Sequence, residues 1–392
     1  MGRFLTALAI AAWLALVSPV VSMAIAGETL RIGLSLDQSG PYRELALMHR
    51  RAYELWRDEL NQHGGILGRP VELTFADDEG SADRAADIYD DLVNRKHVDL
   101  VLAPYSSELT AKVAPIVDRA GYPLLAAGAS SDKIWQQGYT HVFGMMATAS
   151  RYSQGMLRLA VKGGLSTVAI ISAPDQFSQQ AGEGTAKWAR YVKLKVVHEE
   201  SLTTKGADMI EAMRSARAKH ADLVVVAGHL DDAIAARKAL ADIGWQPRAF
   251  YATIGPALPI WSRDVGELAE GTFSTSLWEP LNSDDFPGAS DFAQRFRARY
   301  GVEPSYQAAT AYAAGQILVQ AITAAGGIDR GKIREALSKL DTYSIQGRFA
   351  VDHTGMQVKR IEMIIQWQKG RKEIVWPPEL RTAGVIFGDG AP

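Results

Sequence analysis

Cysteine is absent from this chain of 392 residues, and the absence removes several chemistries at once. No disulfide, no thiolate-held zinc and no thiol nucleophile can form, and lipid cannot be attached through an N-terminal cysteine. A dominant charge is also missing: 42 Lys and Arg stand against 44 Asp and Glu, a formal net charge of −2. Without a long basic run there is no electrostatic footprint for nucleic acid or an anionic membrane surface. The common catalytic signatures are missing too. The sequence holds no Walker loop, no H-E-x-x-H and no G-x-S-x-G, and its 8 histidines lack metal-ligand spacing. Ser130-Ser131-Asp132-Lys133 has S-x-x-K spacing but no K-T-G or S-D-N partner, and Gly182-Glu183-Gly184 lacks the third glycine and preceding strand of a dinucleotide loop. Neither an enzyme nor a cofactor is expected.

What is present is the composition of a soluble globular protein, 47% hydrophobic and 22% charged, with length for two ordinary domains. Residues 1–26 read as an export signal. Arg3 precedes an apolar run from Phe4 to Val21, and Ala24-Ile25-Ala26 offers a small-x-small cleavage site before Gly27. An uncleaved anchor is the alternative, which Pro19 and the small residues near the cleavage point disfavour. Export without disulfides suits a bacterial periplasm.

From Glu28 onward the pattern alternates strand and helix, predicting a doubly wound α/β lobe. Leu30–Leu36, Val71–Ala76, Leu100–Ala103 and Pro123–Ala127 read as its strands, with helices over Leu45–His63 and Ala82–Asn94 and after Ser107. Pro115 inside the third helix predicts a kink. A second series follows, with strands at Val168–Ser172, around Val196, at Leu223–Ala227 and at Phe250–Ala252. Helices are expected at Ser153–Val161, Ala181–Val192, Asp208–Ala218 and Asp231–Ile243. The last third gives helices at Phe292–Tyr300, Ala308–Ala324 and Lys332–Leu340, then strands at Arg360–Gln368 and Glu373–Trp376.

The stretch from Leu100 to Asp132 organises this pattern. Two strand-to-loop junctions there, Pro104-Tyr105-Ser106-Ser107 and Gly128-Ala129-Ser130-Ser131, bring serines to one sheet edge. Open parallel sheets bind ligands outside the carboxyl ends of their strands, where helix N-termini offer free N–H groups to anions.

An exported chain with Gly64-Gly65-Ile66-Leu67-Gly68-Arg69-Pro70-Val71-Glu72-Leu73 after its first helix, then two serine loops, then Tyr312-Ala313-Ala314 in a late helix, resembles the type I periplasmic binding proteins. More narrowly it is similar to the branched-chain amino acid and amide branch that serves ABC transporters. The resemblance implies two doubly wound α/β lobes joined by three hinge crossings. The parts are a first lobe from 27–147 and 281–349, and a second from 148–280 and 350–392 with the C-terminal tail. It implies a monomer that closes on a small ligand bearing a carboxylate or amide and delivers it to an inner-membrane ABC permease; a ligand-sensing receptor of the same fold is the alternative.

Position by position, the resemblance places ligand contacts at Ser107, Gly128, Ala129 and Ser130 in the first lobe, where a carboxylate would be held by hydroxyls and backbone N–H groups. Phe177 and His229 stand where relatives often carry tyrosines, and Thr253 where they often carry the acid that pairs with an ammonium. Plain structural roles remain open: helix cap for Ser107, turn glycine for Gly128, core aromatic for Phe177 and satisfied loop histidine for His229. Tyr105, Tyr42 and Arg151 are further candidates, Trp278 and Glu279 are hinge packing or pocket wall, and Asp231 and Asp232 read as first-turn acids on a helix dipole.

Overall fold

The computed structural model of the protein describes residues 28–203 and 209–390. The expected export signal and the expected helix start at Asp208 lie outside the described residues.

The first lobe begins with β1 (Leu30–Ser35), α1 (Arg43–Gln62), β2 (Val71–Ala76), α2 (Ala82–Asp90), β3 (Leu100–Val101), α3 (Ser107–Arg119), β4 (Leu124–Ala126), α4 (Asp132–Trp135) and β5 (Val142–Gly144). Its strands pair in parallel, in the order β2-β1-β3 with β4-β5 alongside; Ile32 stands opposite both Leu73 and Leu100. Leu30, Ile32, Leu34 and Leu100 are fully buried, as expected where helices cover both faces of a parallel sheet.

The second lobe contains α5 (Gln154–Lys162), β6 (Thr167–Ser172), α6 (Gln176–Tyr191), β7 (Lys195–Ser201), α7 (Met209–Ala218), β8 (Leu223–Ala227), α8 (Leu230–Asp242), β9 (Ala249–Ala252), α9 (Trp261–Val265) and β10 (Thr272–Ser276). The chain then returns to the first lobe through α10 (Ala289–Tyr300), α11 (Tyr306–Ala325), α12 (Arg330–Lys339) and the hairpin of β11 (Thr342–Ser344) and β12 (Gly347–Phe349). Finally β13 (Met363–Gln368) and β14 (Arg371–Trp376) complete a seven-stranded sheet in the second lobe, ordered β14-β13-β10-β9-β8-β6-β7. β13 runs antiparallel to β10, and β14 antiparallel to β13.

The motifs that carried the resemblance have packing roles. Gly64 and Gly65 both hold positive φ, and a Cβ on Gly65 would stand 2.0 Å from the Arg69 carbonyl oxygen, so only glycine lets Ile66 and Arg69 exchange both backbone hydrogen bonds at 2.9 Å. Ala313 and Ala314 are fully buried. On the same helix the Trp56 ring of α1 lies so close to Gly315 that a Cβ there would meet it at 2.4 Å.

The chain crosses between the lobes after β5, after β10 and after β12, and the crossings are tied together. Arg360, buried, donates to the carbonyl of Met145 through Nε at 3.1 Å and Nη2 at 2.7 Å, and to the carbonyl of Gln346 through Nη1. Burial without a carboxylate partner brings its guanidinium down to about 9. Trp278 Nε1 donates to the Ile345 carbonyl at 2.9 Å, joining the second crossing to the turn of the β11–β12 hairpin.

Several expected elements differ. The third helix runs through Pro115 from Ser107 to Arg119, with Ser106 rather than Ser107 at its N-cap. The helix expected from Ala181 starts at Gln176, because Asp175 caps it with bonds from the Phe177 and Ser178 amides, both at 3.1 Å. The strand expected from Arg360 starts at Met363, since Arg360 serves the crossings. β5, β10, β11 and β12 are additional; each has only three to five residues, too short to establish a period.

Candidate functional site

The carboxyl ends of strands from both lobes meet at one buried cavity. The first lobe contributes Tyr105, Ser106 and Ser107 after β3, Gly128 and Ser130 after β4, and Met146 after β5. The second contributes Phe177 after β6, His229 after β8 and Ile254 after β9. Tyr152 on the first crossing and Tyr306 at the head of α11 close the wall. The space in it open to a water-sized sphere is only about 10 Å3, roughly the room of one water molecule. That is far below the ~300 Å3 at which sites for drug-sized molecules begin, so the lobes are closed on the site and a ligand enters only as they part. A larger hollow of about 320 Å3 lies beneath the C-terminal tail, at the amino ends of β9 and β10, the edge of the sheet opposite the cavity.

Ser107 defines the polar end. Its hydroxyl accepts the backbone N–H groups of Ser130 and Ser131, each at 3.0 Å. A hydroxyl has two lone pairs and one proton, so with both lone pairs used Ser107 is left with a donor to offer. Beside it, Ser106 caps α3 without any side-chain capping bond, and its buried hydroxyl has no partner. The first N–H groups of α3 therefore bring uncapped positive dipole to this wall. The backbone amide of Ser130, one of the expected contact positions, is taken by Ser107, as is that of Ser131. Gly128 lines the cavity, while Ala129 is fully buried outside its lining.

The remaining wall is aromatic. Tyr152 meets Phe177 edge-on with centroids 5.2 Å apart, and Phe177 lies 5.4 Å from His229. Tyr42 packs on His229 at 4.9 Å and edge-on to Tyr105 at 5.7 Å, although Tyr42 itself is outside the lining. Its place is set by Asp37, whose carboxylate accepts the amides of Ser39, Gly40 and Tyr42. Ser130 Oγ and the Tyr152 hydroxyl are 2.9 Å apart. Burial raises the Tyr105, Tyr152 and Tyr306 phenols above their ordinary range, so they stay protonated at physiological pH.

His229 stands opposite with Nε2 3.3 Å from Asp175 Oδ1. Burial alone would raise the Asp175 carboxyl. Interaction with His229 and hydrogen bonds from His229 and Ser178 outweigh it and hold the group well below the usual carboxylate range. This acid is committed to His229 and to the head of α6.

The other candidates lie elsewhere. Thr253 is fully buried but outside the lining: its hydroxyl accepts the Gly228 amide at 2.9 Å and donates to the Gly228 carbonyl at 2.8 Å, clamping the ends of β8 and β9. Its neighbour Ile254 faces the cavity instead. Glu279 pairs with Lys372 at 3.2 Å, Arg151 pairs with Glu362 at 3.0 Å, and Trp278 belongs to the crossings. Asp232 lies in the first turn of α8 and accepts the His229 amide at 2.9 Å. Among the described residues no carboxylate lines the cavity. Sequence reasoning did not reach Tyr152, Tyr306, Met146 or Ile254. Tyr306 was open to detection as the aromatic that follows the Pro304-Ser305 helix start.

Known proteins share this architecture. A family model described as periplasmic binding protein matches residues 29–372. A Leu/Ile/Val-binding protein homolog from Brucella abortus is 26% identical, with 95% of this chain and 96% of the relative covered. The branched-chain amino acid transporter substrate binding protein LivJ from Streptococcus pneumoniae, solved in complex with isoleucine, superposes with a TM-score of 0.80 at 23% identity, covering 89% of this chain and 100% of that one. A solute binding protein of an ABC transporter from R. palustris, in complex with benzoate, superposes with a TM-score of 0.78 at 18% identity, covering 92% and 98%. With the family model spanning both lobes and the cavity between them, the chain belongs to the periplasmic binding protein family.

Proposed function

We propose that the protein, once exported to the periplasm, captures a small aromatic or branched carboxylate between its lobes without needing an α-amino group. It then hands this ligand to an inner-membrane ABC permease, acting as a monomeric binding protein and not as an enzyme. In this reading Ser107 and the head of α3 take the carboxylate. Tyr105, Phe177, Tyr152 and His229 enclose the body of the ligand, with Gly128 and Ser130 as the floor.

One observation carries the reading. The polar end of the cavity consists of uncharged donors, Ser107 being obliged to donate, while among the described residues no acid lines the wall to neutralise an ammonium. Asp175, Glu279 and Thr253 all have other partners. A carboxylate gains charge-assisted hydrogen bonds at such a place, whereas a desolvated ammonium without a counter-charge loses several kcal/mol. The relatives named for leucine, isoleucine and valine and the neighbour holding benzoate both fit a small ligand with a carboxylate and an apolar body.

Calorimetry on matched pairs tests this: leucine beside 4-methylpentanoate, phenylalanine beside 3-phenylpropanoate, and benzoate alone. The acids without an amino group bind in the expected outcome. Binding by the amino acids only would sink the proposal.

A further inference from the structure

The loop between β4 and α4 is held on two faces. One face carries Gly128 and Ser130 to the cavity. The other is gripped by the second lobe: Ser131 Oγ donates to Gln180 Oε1 at 2.9 Å, the Lys133 amide donates to the same oxygen at 3.1 Å, and Gln176 Nε2 donates to Ser131 Oγ at 2.8 Å. Gln176 and Gln180 sit one turn apart on the same face of α6. Ser131 is fully buried and Gln180 is 8% exposed, so the bond between them is shielded from water, while the bonds from Lys133 and Gln176 are part-buried. Neither glutamine lines the ligand cavity; Gln176 lines a groove outside it, with Lys133 and Ile134.

All three bonds span the two lobes, so none survives their separation. We infer that Gln176 and Gln180 form a closure latch: positioning residues that never touch the ligand but set its affinity by fixing how much of the protein is closed. The inference rests on the proposed capture between the lobes, though not on which ligand is captured. A ligand that needs the closed form binds with an apparent Kd equal to its intrinsic Kd divided by the closed fraction. Removing the latch therefore weakens all ligands by one common factor, whereas removing a contact such as Ser107 weakens them selectively. The two devices share a part, because Ser107 accepts the amide of Ser131 and fixes the residue that the glutamines grip.

The acceptor on Gln180 takes two of the bonds, and losing it lowers the closed-to-open ratio roughly tenfold. The absence of cysteine makes the measurement direct. Spin labels on Arg119→Cys in α3 and Lys187→Cys in α6, both exposed, report the separation of the lobes in the ligand-free protein. The expected result is a resolvable closed population whose ratio to the open form falls about tenfold in Gln180→Met, which keeps the length of the side chain without its acceptor, and likewise in Ser131→Ala. The double variant falls further than either single one, because Gln180→Met keeps the Gln176–Ser131 bond and Ser131→Ala keeps the Lys133–Gln180 bond, but by less than the product of the two effects, since the Ser131–Gln180 bond is common to both. Melting midpoints confirm that each variant is folded, and Ser131→Ala decides the matter if Gln180→Met is not. A ligand-free protein that is entirely open, or a distance distribution that neither substitution moves, overturns the latch. Failure of the carboxylate reading leaves these ligand-free distances untouched, so the two proposals fail separately.

Discussion

The hydroxyl of Ser107 accepts the backbone N–H of Ser130 at 3.0 Å, tying the first residue of α3 to the loop after β4. Ser107→Ala therefore removes two things at once. It deletes a donor to a charged ligand, worth about 1.5 to 3 kcal/mol or roughly ten- to a hundred-fold in affinity. It also leaves the amides of Ser130 and Ser131 buried without a partner, at about 1 to 3 kcal/mol each. Calorimetry with 4-methylpentanoate and thermal unfolding of the ligand-free protein should fall together; a variant with unchanged melting temperature contradicts the loop-holding role.

Thr253 gives the opposite signature. Its hydroxyl serves only Gly228, in both directions, at the ends of two strands. Thr253→Val should cost about 1 to 3 kcal/mol of stability, because the Gly228 amide and carbonyl lose a buried partner. The ranking of amino acids against their des-amino analogues should not change. Urea unfolding checks the first point and competition binding the second; a variant that acquires or loses an amino-acid preference returns Thr253 to the cavity.

These two residues also mark how far the sequence could be read. The serine loops were legible because strand, polar loop and helix follow one another within a few residues, and the carboxyl edge of a parallel sheet has one destination. Thr253 was one residue out. A position matched through remote relatives fixes the strand end, but whether residue 253 or 254 faces the cavity depends on the pleat, and β9 has only four residues to establish it. The commitment of the Ser130 amide was not legible for another reason: whether that N–H is free depends on a hydroxyl 23 positions away in sequence, which no local pattern encodes. Tyr152 and Tyr306 reach the cavity from a crossing and from a helix of the last third, so only the folded path of the chain brings them together.

Phe177 is the apolar counterpart of Ser107. Its ring lies between Tyr152 and His229 and is 3% exposed. Phe177→Ala removes a wall against which the body of the ligand packs, a loss of about 1.5 to 3 kcal/mol for a ligand that fills the space and much less for a small one. Affinity for 3-phenylpropanoate should thus drop by roughly tenfold or more relative to acetate. Equal losses for both would place the ligand away from α6.

His49 should set part of the acid limb of stability. It is fully buried in α1, edge-on to Tyr105 at 5.3 Å, with Nδ1 3.2 Å from the Leu45 carbonyl. Burial brings it from 6.5 down to about 4, outweighing the Leu45 and Ala127 carbonyls that favour its protonated form. The folded state thus resists a proton that the unfolded chain accepts, so the contribution is complete above pH 6.5 and is lost as pH falls toward about 4. Asp78 works in the other direction. Burial, with Asp37 and Asp77 nearby, raises it to about 6, so its protonation favours the folded state as pH falls below that value. Comparing the wild type with His49→Leu cancels the Asp78 term, which both share. Between pH 7 and about pH 4.5 the wild type should lose about 2 kcal/mol more than the variant in urea unfolding. Parallel losses in the two proteins would mean that His49 takes up its proton inside the fold, with a reachable acceptor or water beside Nε2.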